Sequence, residues 1–363
     1  MMESWAHLGQ LAAVELQQLR FGLASRLARD ALALVPDQAA HTVAVGALPI
    51  AVLAQVLYEQ GALSEAEGLA QGRLPLVSVR SSPETAVLVY PLLAKIAAHR
   101  GQSDLALFLL AQGEALGEAH GWAQLLAICL QQRVELLVRG GRIDEARAAL
   151  ERMHPLQATA NRSQRAGAAI HRYYCLAQSR VELDFEPSAE VLTTLRHFHR
   201  EVTADGDLYL GVQFAIRLAE AHGACGDKTA ARETLARALE LGASVGLYQS
   251  FVDGGPVIGS LLAAAAEQGP SFLHPYVGSL LNSWSRANES AGKLKVSRLS
   301  ALLSPRESGV LGLVRRGYSN KRIALELGIA PETVKSHAKK IFLKLGAQTR
   351  VEAVSRASSL GLI

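Results

Sequence analysis

Four stretches share one pattern: AVLAQVLYEQGALSEAEGLA (51–70), LLAKIAAHRGQSDLALFLL (92–110), QRVELLVRGGRIDEARAAL (132–150) and RLAEAHGACGDKTAARETLARAL (217–239). Each is a Leu/Ala-rich run, a glycine (Gly61, Gly101, Gly141, Gly226), then a second apolar run with alanine five residues on (Ala66, Ala106, Ala146, Ala231). The first three glycines stand forty residues apart. A glycine just past a periodic run closes a helix in the left-handed conformation, and the next helix then packs back antiparallel. The small alanine lets the two backbones approach.

One such hairpin cannot bury its apolar face alone, so copies are expected to stack into a solenoid. The pattern resembles tetratricopeptide-like repeats with a slightly long period. A plain helical bundle shares the composition but gives no reason for the spacing. Asp184-Phe185 before Ala189 reads as a degenerate copy, and Gly22 before Leu27 as a further one near the start. A 49% hydrophobic share with only 5% aromatic supports an all-α class, because Leu and Ala favour helices whereas strands favour β-branched and aromatic residues. Solenoids present binding surfaces, so Tyr58, Tyr90, Trp122, Tyr173, Tyr174, Tyr209 and Phe214 are candidates for a ligand groove as well as for core.

The charge is uneven. Residues 293–363 hold 14 Lys and Arg against 4 Asp and Glu, leaving 23 and 29 for residues 1–292. A basic module on an acidic body is the electrostatic footprint of a nucleic-acid binder, although a solvated basic surface has the same composition. The run SRANESAGKLKVSR (285–298) lacks apolar periodicity and marks a linker, placed at 286–300 between a repeat domain (1–285) and a C-terminal domain (301–363).

In that last domain Ser304-Pro305-Arg306-Glu307 is a capping box with proline at the first helical position. Gly317 ends the helix. Ser319 caps the next, which turns Ile323, Ala324 and Leu327 inward, and Gly328 closes it with Ile329 plugging the turn. Pro331 opens a third helix, to about Leu345, and Thr349 caps a fourth. Two short helices joined by three residues around a glycine form a helix-turn-helix. On the third helix Val334, Ala338, Ile341 and Leu345 make a narrow core stripe, whereas Glu332, Lys335, Ser336, Lys339 and Lys340 share the opposite face. Gly309 and Gly312 stand in the first helix, where each costs about 1 kcal/mol relative to alanine. Ala338 leaves the core stripe lightly filled.

Leu303 to Ala357 resembles the LuxR/GerE-type output domain of bacterial regulators. The matching positions include Leu303 to Glu307, Gly317 to Lys321, Ile323-Ala324, Thr333-Val334-Lys335, His337, Ile341, Lys344 to Gly346, Arg350 and Ala353-Val354. The resemblance implies base contacts by Lys335, Ser336 and Lys339. It implies phosphate contacts by Ser319, Asn320, Lys321 and Thr333, and Lys340 joins these on its charge. It also implies double-stranded DNA as partner and a homodimer through the last helix, roughly Gln348 to Ser359. A weaker resemblance, over Ala219 to Trp284, is to the sensor repeats of MalT-like, ATP-dependent members of the family. Those carry a nucleotide-binding domain, and Gly292-Lys293 here lacks the glycine spacing and the Ser/Thr of a phosphate-binding loop. The chain then reads either as a short regulator or as the C-terminal part of a longer one.

Other chemistry finds little support. Gly242-Ala-Ser244-Val-Gly246 matches a nucleophile elbow, but a helical run precedes it where a strand is required. His197-Phe-His199 has no third ligand nearby. Cys129, Cys175 and Cys225 show no paired spacing. No secretory signal or membrane span is evident, Val43 to Ala54 being too short and broken by Gly46 and Pro49. A cytoplasmic, non-enzymatic regulator without cofactor or metal is expected, its repeats sensing a small molecule or a protein. An interaction scaffold with vestigial DNA binding is the alternative.

Overall fold

The computed structural model describes residues 2–34, 46–72, 82–161, 164–185, 187–287, 304–345, 347, 349–350 and 352–354. All the regular elements among them are helices. The chain divides into two compact units, Met1–Ala287 and Asn288–Ile363. Arg286 and Ala287, assigned above to the linker, continue a helix, and the rest of that linker lies outside the described residues.

The first unit is a run of helical hairpins: α1 (Met2–Gln17) with α2 (Phe21–Ala33), α3 (Ala47–Glu59) with α4 (Leu63–Gln71), α5 (Pro83–His99) with α6 (Ser103–His120), and α7 (Ala123–Arg139) with α8 (Ile143–Glu151). After the short α9 (His154–Thr159) come α10 (Arg165–Phe185) with α11 (Ala189–Ala204), and α12 (Leu208–Ala224) with α13 (Lys228–Val245). Then follow α14 (Gln249–Val252), α15 (Pro256–Gln268) and α16 (274–287).

The four quoted turns are built alike. Gly61, Gly101, Gly141 and Gly226 adopt φ of +81°, +74°, +72° and +84°. In each, the next amide (Ala62, Gln102, Arg142, Asp227) donates at 2.9 Å to the carbonyl five residues back (Leu57, Ala97, Leu137, His222). This 6→1 bond satisfies a carbonyl that the helix end would leave bare. Ala66, Ala106, Ala146 and Ala231 are all fully buried, at 0% exposure.

The first hairpin departs from the sequence reading. Gly22 lies inside α2, and the turn is made by Leu19, at φ +58° and buried. The Arg20 amide donates to the Glu15 carbonyl at 2.9 Å, and Ala24, five residues after Leu19, is fully buried. Burial of the leucine side chain offsets a left-handed conformation that costs a non-glycine residue about 1–2 kcal/mol.

The repeats also close on themselves. One core joins Ala12, Leu16, Val52 and Val56 of the first hairpins to Val212, Leu239, Phe251, Leu262 and Leu280 near the other end. The Tyr248 amide donates to the Glu59 carbonyl at 2.7 Å. The second unit holds α17 (Pro305–Arg315), α18 (Asn320–Leu327) and α19 (Pro331–Leu345) around Val310, Leu311, Val314, Ile323, Val334 and Ile341.

Candidate nucleic-acid interface

The second unit is fixed locally by its caps. Ser304 Oγ accepts from the Glu307 amide at 3.3 Å, and Glu307 Oε2 accepts from the Ser304 amide at 2.7 Å. Ser319 Oγ accepts from the Arg322 amide at 3.4 Å. Gly328, at φ +63°, ends α18, and the Ile329 amide donates to the Ala324 carbonyl at 3.0 Å. Thr349 Oγ1 accepts from the Glu352 amide at 3.2 Å.

On α19, Val334, Ala338 and Ile341 are buried, while Glu332, Thr333, Lys335, Ser336, Lys339 and Lys340 are all exposed. The side chain of Leu345 lies outside the described residues, as does much of the expected dimer helix, 348–359. Among the described residues, the partner this exposed face shows is Glu332, whose carboxylate lies 3.7 Å from Lys335 Nζ, with side-chain exposures of 85% and 71%. So exposed a pair contributes at most about 1 kcal/mol and leaves Lys335 able to turn to another acceptor.

Three details were not legible beforehand. Leu327 was expected inward but is 38% exposed, because α18 ends there and Ile329 fills the space over the core instead. Asn320 is half-buried, and its Oδ1 accepts from Arg350 Nη1 at 3.0 Å, while Arg350 Nη2 donates to the Tyr318 carbonyl. Asn320 and Arg350 thus clamp the turn before α18, with Ser319 and Lys321 exposed beside it. Arg322 lies over the Tyr318 ring at 4.2 Å and brings a further cation to that edge.

Within the repeats, the candidate groove aromatics are mostly packing. Tyr58 and Phe214 are fully buried at 0% exposure, Tyr90 is buried, and Trp122, Tyr173 and Tyr174 pack partly buried against the cores. Tyr58 and Tyr209 instead help to join α3 to α14. Tyr209 Oη donates to Glu59 Oε1 at 2.6 Å, Ser250 Oγ donates to the same oxygen at 3.0 Å, and Tyr58 donates to Asp253. Burial raises the pKa of Glu59. Burial also works against ionised Asp253, but hydrogen bonds from His99 and Tyr58 outweigh it and hold this carboxyl below its usual range.

A second buried cluster joins α7, α10 and α12. Arg217 donates to Glu135 and, at 2.7 Å, to Glu220 Oε2, while Arg180 stands 3.8 Å from each carboxylate. The Gly255 amide donates to Glu220 Oε1 at 3.2 Å. Burial opposes ionisation of Glu135, but Arg217 and Arg180 outweigh it and lower its pKa. The available sequence signal was charge inside otherwise apolar helices, as in QRVELLVRGG and RLAEAHGACG.

Ser244, of the nucleophile-elbow match, lies within helix α13 with its hydroxyl donated to the Leu241 carbonyl at 2.7 Å. This is no strand-to-helix turn. Among the described residues, no helix is long and apolar enough to cross a membrane, and no group of three or more His, Cys, Asp or Glu could hold a metal ion.

Comparison with known proteins agrees with this division. Residues 2–268 match the family described as MalT-like TPR region, and residues 301–357 match bacterial regulatory proteins of the luxR family. The HTH-type transcriptional regulator MalT of Cronobacter sakazakii is 26% identical over 350 residues, covering 91% of this chain and 38% of that protein. The HTH-type transcriptional activator RamA of Corynebacterium glutamicum is 48% identical over 61 residues, 17% of this chain and 22% of RamA. The HTH-type transcriptional regulator AlkS of Ectopseudomonas oleovorans is 28% identical over 155 residues, 42% of this chain and 17% of AlkS. The chain thus spans well under half the length of these relatives. It belongs to the MalT-like TPR family and carries, over 301–357, the helix-turn-helix domain of the LuxR family of bacterial transcriptional regulators.

Proposed function

We propose that this chain is a sequence-specific, double-stranded-DNA-binding transcription regulator, acting without catalysis in the cytoplasm. Its repeat region, which runs through Ala287, is joined by a linker to the DNA-binding domain (301–363) and senses a small-molecule or protein signal. The observation that carries the DNA reading is the face of α19, where three lysines stand exposed opposite a buried stripe. A helix of this width fits the major groove, where lysine reaches guanine O6 and N7. Lys335, Ser336 and Lys339 are assigned to bases. Ser319, Lys321, Thr333 and Lys340 are assigned to phosphates, and Asn320 to the same edge through its clamp on Arg350. Dimerisation through the last helix would set two half-sites about one helical turn apart.

The test is selection of bound duplexes from a randomised pool by the full chain, followed by titration of the enriched sequence against a scrambled one at several salt concentrations. Enrichment of a two-fold-related motif, with affinity falling steeply as salt rises, is the expected result. Absence of measurable DNA affinity would sink the reading and leave an interaction scaffold in its place.

A further inference from the structure

A groove runs between α11 and α13 on the flank of the repeats, floored by α12. Its volume is about 590 Å³, inside the ~300–1,000 Å³ range of small-molecule sites. The floor is apolar: Leu208, Val212, Ala215 and Leu218 from α12, with Ala238 and Leu241 from α13.

The walls are basic. Arg196 and Arg200 from α11 and Arg237 from α13 line the groove against a single carboxylate, Glu233. The three arginines are exposed and make no hydrogen bond or ion pair among the described residues. Such a set differs from the interior cluster, where each arginine faces a carboxylate. His199 and His222 complete the lining. The His222 side chain is only 5% exposed, and its buried Nδ1 has no hydrogen-bond partner, the nearest carboxylate oxygen, of Asp227, standing 4.0 Å away.

We propose that this groove binds a small organic anion, with an apolar body on the α12 floor and its charged group held by Arg196, Arg200 and Arg237. Guanidinium groups suit carboxylate and phosphate because they offer paired donors in a fixed fork. The two histidines then gain a role as proton partners. In the free protein, burial and Arg237 hold His199 below its ordinary pKa, and burial and Arg196 do the same for His222, with Asp227 pulling the other way. An anion among the arginines offsets their charge, so both histidines take up protons more readily when the site is filled. The ligand class deepens the sensing reading above, but only its effect on DNA rests on that reading.

The experiment is calorimetric titration of the full chain with 1-naphthyl phosphate, 1-naphthoate, 1-naphthol and inorganic phosphate. Binding of at least one naphthyl anion, with naphthol and inorganic phosphate about tenfold weaker or worse, is expected. The Arg196→Ala/Arg237→Ala variant, altered only at exposed positions, should lose about tenfold or more for the anion and nothing for naphthol. Near pH 6.5 the binding enthalpy should change with the ionisation enthalpy of the buffer, reporting proton uptake. Failure of both naphthyl anions to bind, or equal binding by the variant, overturns the proposal. Binding of an acidic amphipathic peptide alone overturns it in favour of a protein-docking surface. A separate arm measures DNA affinity with and without the bound anion: unchanged affinity removes the sensing role yet leaves the site standing.

Discussion

Helices α12 and α19 carry charge in opposite ways. On α12, Arg217 and Glu220 are 8% exposed and answered by Glu135, Arg180 and the Gly255 amide. On α19, Lys335, Lys339 and Lys340 stand in solvent with one weak partner, Glu332. Buried charge persists where opposite charges pair, as here, even though Glu135 Oε2, Arg180 Nε and Arg217 Nε keep no hydrogen-bond partner among the described residues. Breaking such a pair strands the charge left behind. Exposed charge of one sign contributes nothing to packing and is free to meet a polyanion. The difference separates residues that hold the repeats together from residues that touch a partner.

The largest expected effect tests the buried side. Arg217→Leu leaves Glu135 and Glu220 without their central cation and should cost about 3–5 kcal/mol, read as the denaturant midpoint of the repeat unit. Adding Glu135→Leu should recover part of that loss, because one stranded charge is removed with its former partner. A double variant less stable than the single one would show that the cluster is not the unit described. Two buried carboxylates, Glu135 in this cluster and Asp253 beside Tyr58 and His99, also set a direction with pH. Glu135 and Asp253 have lowered pKa values in the folded chain, so the stability they contribute is present above their unfolded values. It should drain away as pH falls through the folded ones, and Glu135→Leu/Arg217→Leu should flatten that acid limb in a urea series across pH.

The exposed side predicts no stability change. Lys335→Ala should relax discrimination at one base position by about 1–3 kcal/mol, read as the ratio of affinities for the selected duplex and its single-base variants. Equal loss on every duplex would show that α19 does not read bases at this position. Lys321→Ala should instead weaken all sequences alike and reduce the slope of log affinity against log salt by about one unit. Sequence preference altered by Lys321→Ala would reverse the two assignments.

The two regions also differed in how much the sequence disclosed. The Gly61, Gly101, Gly141 and Gly226 turns were legible, because a left-handed residue advertises itself as glycine. The first hairpin was not, because Leu19 takes the same conformation without the glycine and only the buried Ala24 marks its place. Closure of the repeats was hidden as well: Glu59 meets Tyr248 and Ser250 from almost two hundred residues away, and such pairings leave no local periodicity. The exposed face of α19 could be read from 100° spacing alone, whereas the Asn320–Arg350 clamp joins side chains thirty positions apart. Leu327 failed for a related reason, since a helical wheel does not know where the helix stops.

The smallest expected effect concerns the first helix of the DNA-binding unit. Gly309 and Gly312 lie inside α17, and a methyl group added at either would meet nothing within 4 Å. Neither has positive φ, so no turn or close approach calls for glycine at these positions. Alanine restricts the unfolded chain without straining the folded one, and each substitution should add about 0.4–1 kcal/mol. The readout is hydrogen exchange of the buried Ile323 and Val334 amides in the full chain, which should slow in both variants. The face of α19 is untouched, so discrimination between duplexes should stay unchanged while that protection rises. Weaker DNA binding together with slower exchange would mean that α17 must loosen for α19 to seat in the groove, and the separation of packing residues from contact residues would then fail within this unit.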